Sequence, residues 1–330
     1  MKKILFYGNN KSIVFKFLFL NYSTHSFFFY LSIKKNIITI FLCLFFSNAF
    51  CQDLEPRVYA NVPKGLNILI MNYNYLDGNV VTDPSLPIKD FEISSHSVAA
   101  GYIKTFSLAN KLARVQVVLP YVYMDGKVTS TIGDDITGNR SGMADLRIRF
   151  GINLFGSPAL DKKDFSKFNQ KTIFGASLVT SVPIGQYFEE KQVNLGTNRW
   201  AFKPEVGVSR RMKSFYVESY VGVWFYTINN EFLINKEKRQ EPALSFQFHS
   251  SYYFKNQMWV GFNANWYKGG SSTIDNVKIG DNLDNLRVGA TWSVPVGKMQ
   301  SLRLQFHSGA NKSRDIDYDA VSLSYQYSFF

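Results

Sequence analysis

Cysteine is nearly absent: the 330 residues hold two, Cys43 and Cys51. Two thiols cannot build a zinc cluster or a disulfide framework. Histidine is scarce as well, with four in all. No phosphate-binding loop, dinucleotide fingerprint or zinc motif occurs. No run after Gln52 is long and apolar enough for a transmembrane helix, and no stretch sustains a helical period. Basic residues outnumber acidic ones by 37 to 25, but they are scattered, so there is no nucleic-acid footprint. The excess lies in aromatic residues, 16% of the chain, carried by 30 Phe and 19 Tyr.

Part of that excess belongs to a leader. Residues 1–51 carry Lys2, Lys3, Lys11, Lys16, Lys34 and Lys35 and no acid. Lys34 and Lys35 precede an apolar run from Ile37 to Phe46. Ser47-Asn48-Ala49-Phe50-Cys51 then supplies the small residues of a signal peptidase site, with cleavage placed after Cys51. Phe50 is too large to precede a lipidated Cys. Residues 1–51 therefore read as an N-terminal extension and cleavable signal peptide, of which 1–33 are an over-long start. Residues 52–330 form the mature part. It keeps 31 basic and 25 acidic residues, a net charge of +6, and no cysteine.

The mature part alternates with period two. Leu146, Ile148, Phe150, Ile152 and Leu154 are apolar, while Asp145, Arg147, Arg149, Gly151 and Asn153 interleave. A strand puts these sets on opposite faces. Such segments recur at 65–77, 91–106, 112–124, 143–155, 171–185, 199–210, 215–227, 242–254, 258–268, 285–296, 301–309 and 318–330. Their length suits a tilted membrane strand. Long connections (78–90, 125–142, 186–198, 228–241, 269–284) alternate with short ones (107–111, 211–214, 255–257, 297–300). One return, Gly156–Gln170, is long and leaves room for a short helix. A soluble β-sandwich would alternate too. Three features favour membrane. One face is consistently apolar, and aromatics gather near strand ends (Tyr121, Tyr123, Trp200, Phe254). The last strand runs Val321-x-Leu323-x-Tyr325-x-Tyr327-x-Phe329. The expected fold is all-β, a transmembrane antiparallel up-and-down barrel of about twelve strands in a bacterial outer membrane.

By parity the inward face carries Arg114, Asp145, Arg147, Arg149, Lys203, Glu205, Glu218, Arg287 and Arg303. Gln116, Gln247, His249 and Gln305 join them. Two uses are open for that face. It lines a solute path with a cationic bias, or it forms a salt-bridge network that fills a narrow barrel, with Arg147 and Arg149 set against Asp145 and Glu205. A greasy solute would need an apolar pocket near the external loops or a lateral exit. Residues 53–64, ahead of the first strand, are either a plug or a periplasmic tail.

Several segments resemble proteins named for the MetA pathway of phenol degradation, a family of outer-membrane transporters. They are Asp53-Leu54-Glu55-Pro56-Arg57 through Asn67, Asp83-Pro84-Ser85-Leu86-Pro87, Val118-Leu119-Pro120-Tyr121 and Asp145-Leu146-Arg147 through Leu160. Gly175-Ala176-Ser177-Leu178, Gly185-Gln186-Tyr187 and Asn194-Leu195-Gly196-Thr197-Asn198-Arg199-Trp200 through Glu205 complete the set. The resemblance spans about 53–330 and implies an outer-membrane channel, with aromatic compounds as a candidate solute class.

The reading is a passive channel for uptake or export of small solutes. Its expected partners are outer-membrane lipid and lipopolysaccharide, the assembly machinery through the C-terminal strand, and a small-molecule solute; nucleic acid is not among them. No cofactor, metal or catalytic residue is expected. Two alternatives stand beside it. One is a structural or adhesive barrel with a closed lumen. The other is an outer-membrane lipid hydrolase, for which His249 and Ser251 share a strand face. Asp315-x-Asp317-x-Asp319 begins like a calcium loop, but Ala320 and Gln326 stand where Gly and Glu are required.

Overall fold

The computed structural model describes residues 55–79, 89–129, 135–191, 193–309 and 317–330. The expected signal peptide and the start of the aspartate triplet lie outside these residues. Seventeen strands run in chain order. The wall is built from β1 (Asn67–Asn79), β2 (Lys89–Leu108), β3 (Lys111–Thr129), β4 (Asp135–Met143), β5 (Leu146–Phe155), β6 (Thr172–Val182), β7 (Ala201–Met212) and β8 (Phe215–Tyr226). After β9 (Asn229–Phe232) and β10 (Lys236–Gln240) come β11 (Ala243–Tyr253) and β12 (Trp259–Gly269). After β13 (Ser272–Ile274) and β14 (Val277–Lys278) come β15 (Leu283–Gly297), β16 (Gln300–Gly309) and β17 (Asp317–Phe329).

Each wall strand pairs antiparallel with its sequence neighbour. β4 pairs with the far part of β3 and β5 with its near part, so the two together make one wall strand. That gives twelve. β17 then pairs with β1, from Asn67↔Phe329 to Asn79↔Asp317, and closes the barrel. Closure leaves no open edge, the condition for a sheet to cross a bilayer. The sequence segments coincide with these twelve wall strands to within a few residues, apart from the long outer extensions of β2, β3 and β4.

The alternation sorts by face as the barrel requires. Leu69, Met71, Tyr73, Phe150, Leu178, Val206, Val208, Val221, Phe262, Trp292, Leu302, Phe306 and Leu323 point outward and are exposed. Their neighbours Asn153, Ser177, Glu205, Ser209, Asn263, Thr291, Gln305 and Ser324 point inward and are buried. In water that distribution is inverted; around a lumen it is the arrangement the bilayer demands. Phe155, Phe174, Phe215 and Phe254 are exposed at the short-turn end, and Tyr121, Tyr123, Trp200 and Phe225 nearer the other end. Two interfacial belts result.

The short-turn end also holds Asn67 and the final strand residue, Phe329, so it is the periplasmic end. The β2–β3 turn is two residues, Ala109 and Asn110, both at positive φ, which matches a tight hairpin of the strand twist. The long return after β5 contains one helical turn, Lys162–Phe165, the only helix among the described residues. The external connections differ from the loops expected. β3 and β4 continue as a hairpin to Thr129↔Asp135. The segments 228–241 and 269–284 contain β9, β10, β13 and β14, which form a separate four-stranded sheet. Beyond the bilayer neither face must be apolar, so period two fades there although the ladder goes on.

Candidate functional site: the barrel lumen

The lumen is occupied. Residues 55–64 run from its middle to the periplasmic rim. Arg57 anchors them: its backbone N–H donates to Glu218 Oε2 (2.9 Å), and its guanidinium donates to Glu218 Oε1 (3.2 Å). The same guanidinium lies 3.8 Å from the Tyr216 ring centroid. Two wall residues turn inward to hold the backbone. Arg114 on β3 donates to the carbonyls of Val58 (2.5 Å) and Ala60 (2.8 Å). Asn153 on β5 donates to the carbonyl of Tyr59 (3.3 Å). At the rim Lys64 N–H donates to Leu160 O, and Lys64 Nζ sits 3.1 Å from Asp161.

Tyr59 is the deepest side chain of this segment, 1% exposed. Its ring lies on Gly175 of β6 and Gly207 of β7, which face each other in register. A Cβ at either position would overlap the ring. The paired glycines thus open a seat that any other residue would fill. Tyr220 packs edge-on against the ring, with centroids 5.2 Å apart. The hydroxyl lies within reach of Ser177 Oγ (3.2 Å) and Glu205 Oε1 (3.4 Å). Burial and the nearby Glu205 raise the Tyr59 pKa, so the phenol stays neutral and can donate.

On the external side of the seat lies a charge network. Glu205 accepts from Arg149 (2.7 Å) and pairs with Lys203 (2.8 Å). Arg149 also bonds Glu55 of the inserted segment. Buried charges persist only when paired, and here the inserted segment supplies one of the partners. Further round the wall Arg287 is fully buried with its guanidinium 3.8 Å from the Tyr318 ring centroid. Arg303 lies 5.4 Å from that of Trp259. Arg147 shares the face of Arg149 on β5 but is exposed.

Asp145 departs from the expected pairing with Arg147 and Arg149. It sits in the break between β4 and β5, and its carboxylate accepts from Gly185 N (3.1 Å), Thr197 N (3.0 Å) and Thr197 Oγ1 (2.6 Å). It therefore holds the external loop 183–200 against the inner wall. Gln186 of that loop covers Gly142, which faces inward opposite the outward Met143, and Gly185 and Gly196 pack together. Arg140 donates to Val193 O (2.5 Å) and Asn194 Oδ1 (3.0 Å). Asn229 of β9 reaches Tyr187 (2.9 Å), and Asn198 reaches Glu231 (2.8 Å). The loop is thus tied to the wall and to the external sheet.

Between the loop and the charge network the inner wall carries an apolar cluster: Val179, Ala201, Trp224, Ala243 and Tyr267, with Tyr226 and Leu283 packed on it. Cations edge it. Lys203 lies 5.4 Å from the Trp224 ring centroid and Arg199 4.7 Å from that of Tyr226. Sequence reading missed this cluster, because six strands share it and each contributes only one or two inward apolar residues. His249 and Ser251 are both buried in the lumen, and the ring nitrogens of His249 meet Asn263 (2.8 Å) and Gln247 (3.2 Å) rather than Ser251. Among the described residues no group of three or more metal-ligating side chains forms a site.

A closed barrel with an apolar outer belt and a charged, occupied lumen defines an outer-membrane β-barrel protein. An outer membrane channel from Pseudomonas putida F1 has the same fold: TM-score 0.71, 17% identity, over 84% of this chain and 100% of that one. The β domain of the Bordetella autotransporter BrkA is more distant: TM-score 0.49, 12% identity, over 81% of this chain and 100% of that one. No curated protein matches the chain in sequence. The family described as "Putative MetA-pathway of phenol degradation" matches residues 77–324, more than half of the chain, and the chain belongs to it. The inserted segment precedes the matched span.

Proposed function

We propose that this protein is a passive outer-membrane channel whose resting lumen is closed by residues 55–64, and that small solutes, aromatic compounds among them, pass once that segment is displaced. The observation that carries this reading is the glycine seat under Tyr59. A barrel sealed for good needs only large wall side chains. Here the wall is instead hollowed to receive a removable segment. Two further features support the solute class. Inward arginine and lysine outnumber inward glutamate, which favours anions. The Trp224–Tyr267 cluster offers aromatic surface beside those cations. The family description, which names phenol degradation, agrees with an aromatic solute.

Transport on this reading is diffusion between binding sites, without motor or cofactor. The test is single-channel conductance of the wild type and of a variant lacking residues 55–62, followed by liposome uptake of phenolic, fatty-acid and sugar solutes. The expected result is rare or small openings in the wild type and a steady open current in the variant. A variant that passes neither current nor solute would favour the other reading, a structural barrel with a closed lumen. That alternative draws on the second closure, loop 183–200. Ser251-dependent lipid hydrolysis would favour the enzyme; the His249 nitrogens, taken by Asn263 and Gln247, give it no support.

A further inference from the structure

The charges of this barrel segregate along its axis. Every periplasmic return carries an exposed lysine: Lys111, Lys213, Lys255 and Lys298 on the short turns, and Lys171 at the end of the long return. None of these five forms an ion pair among the described residues. The acids of these returns are Asp161 and Asp164 alone, and Asp161 is already held by Lys64. The opposite end is acidic: a cleft of about 410 Å³ between β1, β2, β3 and β4 is lined by Asp77, Glu92 and Asp125 with Lys127 as its one base. The modest net charge of the mature part therefore conceals a strongly cationic rim.

We propose that this rim binds the headgroups of anionic phospholipids in the periplasmic leaflet of the outer membrane. Three observations choose lipid over an acidic protein. The lysines are spread around the whole circumference, one per return, whereas a protein partner covers one side. They stand at the level of lipid-facing aromatics: Phe174 and Phe215, each exposed, lie within three residues of Lys171 and Lys213, and Phe254 adjoins Lys255. Arg210 continues the lipid-facing row of Val206 and Val208 on β7 and donates to Thr172 on the neighbouring strand, which places a guanidinium on the outer wall at headgroup depth. A juxtamembrane cation attracts anionic lipid over a screening length of ~10 Å at ~0.1 M salt. The ligand chemistry is a phosphodiester lipid with net negative charge, as in phosphatidylglycerol, rather than zwitterionic phosphatidylethanolamine.

The test uses the full barrel in vesicles that contain either brominated phosphatidylglycerol or brominated phosphatidylethanolamine in an unlabelled phosphatidylethanolamine background. Trp292 is 48% exposed on the outer wall, five residues from the end of β15 at Gly297, and its fluorescence reports the lipid beside it. A Trp292→Phe variant isolates its share of the signal. Phosphatidylglycerol is expected to bind beside Trp292 about threefold better than phosphatidylethanolamine. That preference should fall to about one in the variant Lys111→Gln, Lys213→Gln, Lys255→Gln, Lys298→Gln. It should fall likewise for the wild type in ~1 M salt, where the screening length is ~3 Å. Heat-dependent gel mobility reports whether the variant has folded; if it has not, the salt arm decides alone. Equal quenching by the two lipids in the wild type overturns the proposal. So does a folded variant that keeps the preference, or a preference that survives ~1 M salt.

Discussion

The two segments that reach the inner wall are held there by different means. Residues 55–64 are held by charge: Arg57 on Glu218, Glu55 on Arg149, and Arg114 on two carbonyls; on the proposed reading, with the leader cleaved after Cys51, they stay joined to the wall only through β1. Loop 183–200 is joined at both ends, to β6 and β7. It is held without an ion pair of its own among the described residues, by neutral amides and hydroxyls that meet single charged groups: Asp145, Glu231 and the Arg140 guanidinium. A segment tethered at one end can leave the lumen entirely; one tethered at both can only hinge. On the proposed reading, the difference gives the periplasmic segment the opening of the path and the external loop the access from outside.

That comparison can be broken in four places, taken from the largest effect on conductance down. Arg57→Ala leaves Glu218 buried without its cation, which costs roughly 3–5 kcal/mol of seating; planar-bilayer recordings should show the lumen open most of the time. Gly207→Ala adds a methyl group where the Tyr59 and Tyr220 rings lie and removes no charge. It should unseat the segment by about 1–3 kcal/mol and give intermittent opening in the same recordings. Asp145→Asn exchanges one acceptor oxygen for an amide that cannot accept from Thr197, a loss of about 1.5–3 kcal/mol to the loop. Trypsin should then cut after Lys191 or Arg199 from the external side, while conductance stays at the wild-type level. The double variant Arg57→Ala, Asp145→Asn should combine the single effects within about 0.5 kcal/mol, since the two clusters share no partner. Strong coupling would mean that the closures form one device.

The wall was legible in the sequence because the bilayer enforces it. Each spanning strand must put apolar residues outward and polar ones inward, so parity located Arg114, Arg149, Lys203, Glu205, Glu218 and Arg287 on the inner face. An inserted segment was legible only as one of two uses for residues 53–64, and its contacts were not legible. Arg57 meets a partner 161 residues away, and no local period marks that pair. Gly175 and Gly207 look ordinary until register sets them face to face beneath one ring. Asp145 has the right parity, but the break between β4 and β5 turns it from the arginines to loop backbone. The external sheet was hidden for the complementary reason: outside the membrane nothing requires alternation.

Hydrogen exchange of the folded barrel, read peptide by peptide, tests the central claim most directly. Within residues 55–66 the amides of Glu55, Arg57, Ala60, Lys64, Gly65 and Leu66 all donate to protein acceptors. The account predicts that this stretch exchanges slowly in the wild type, near the rate of the wall strands, and that Arg57→Ala releases it. It also predicts that loop 183–200 keeps its protection in that variant. Exchange of residues 55–66 at the rate of an unstructured peptide in the wild type would contradict it, because a segment that rests outside the lumen cannot be what closes it.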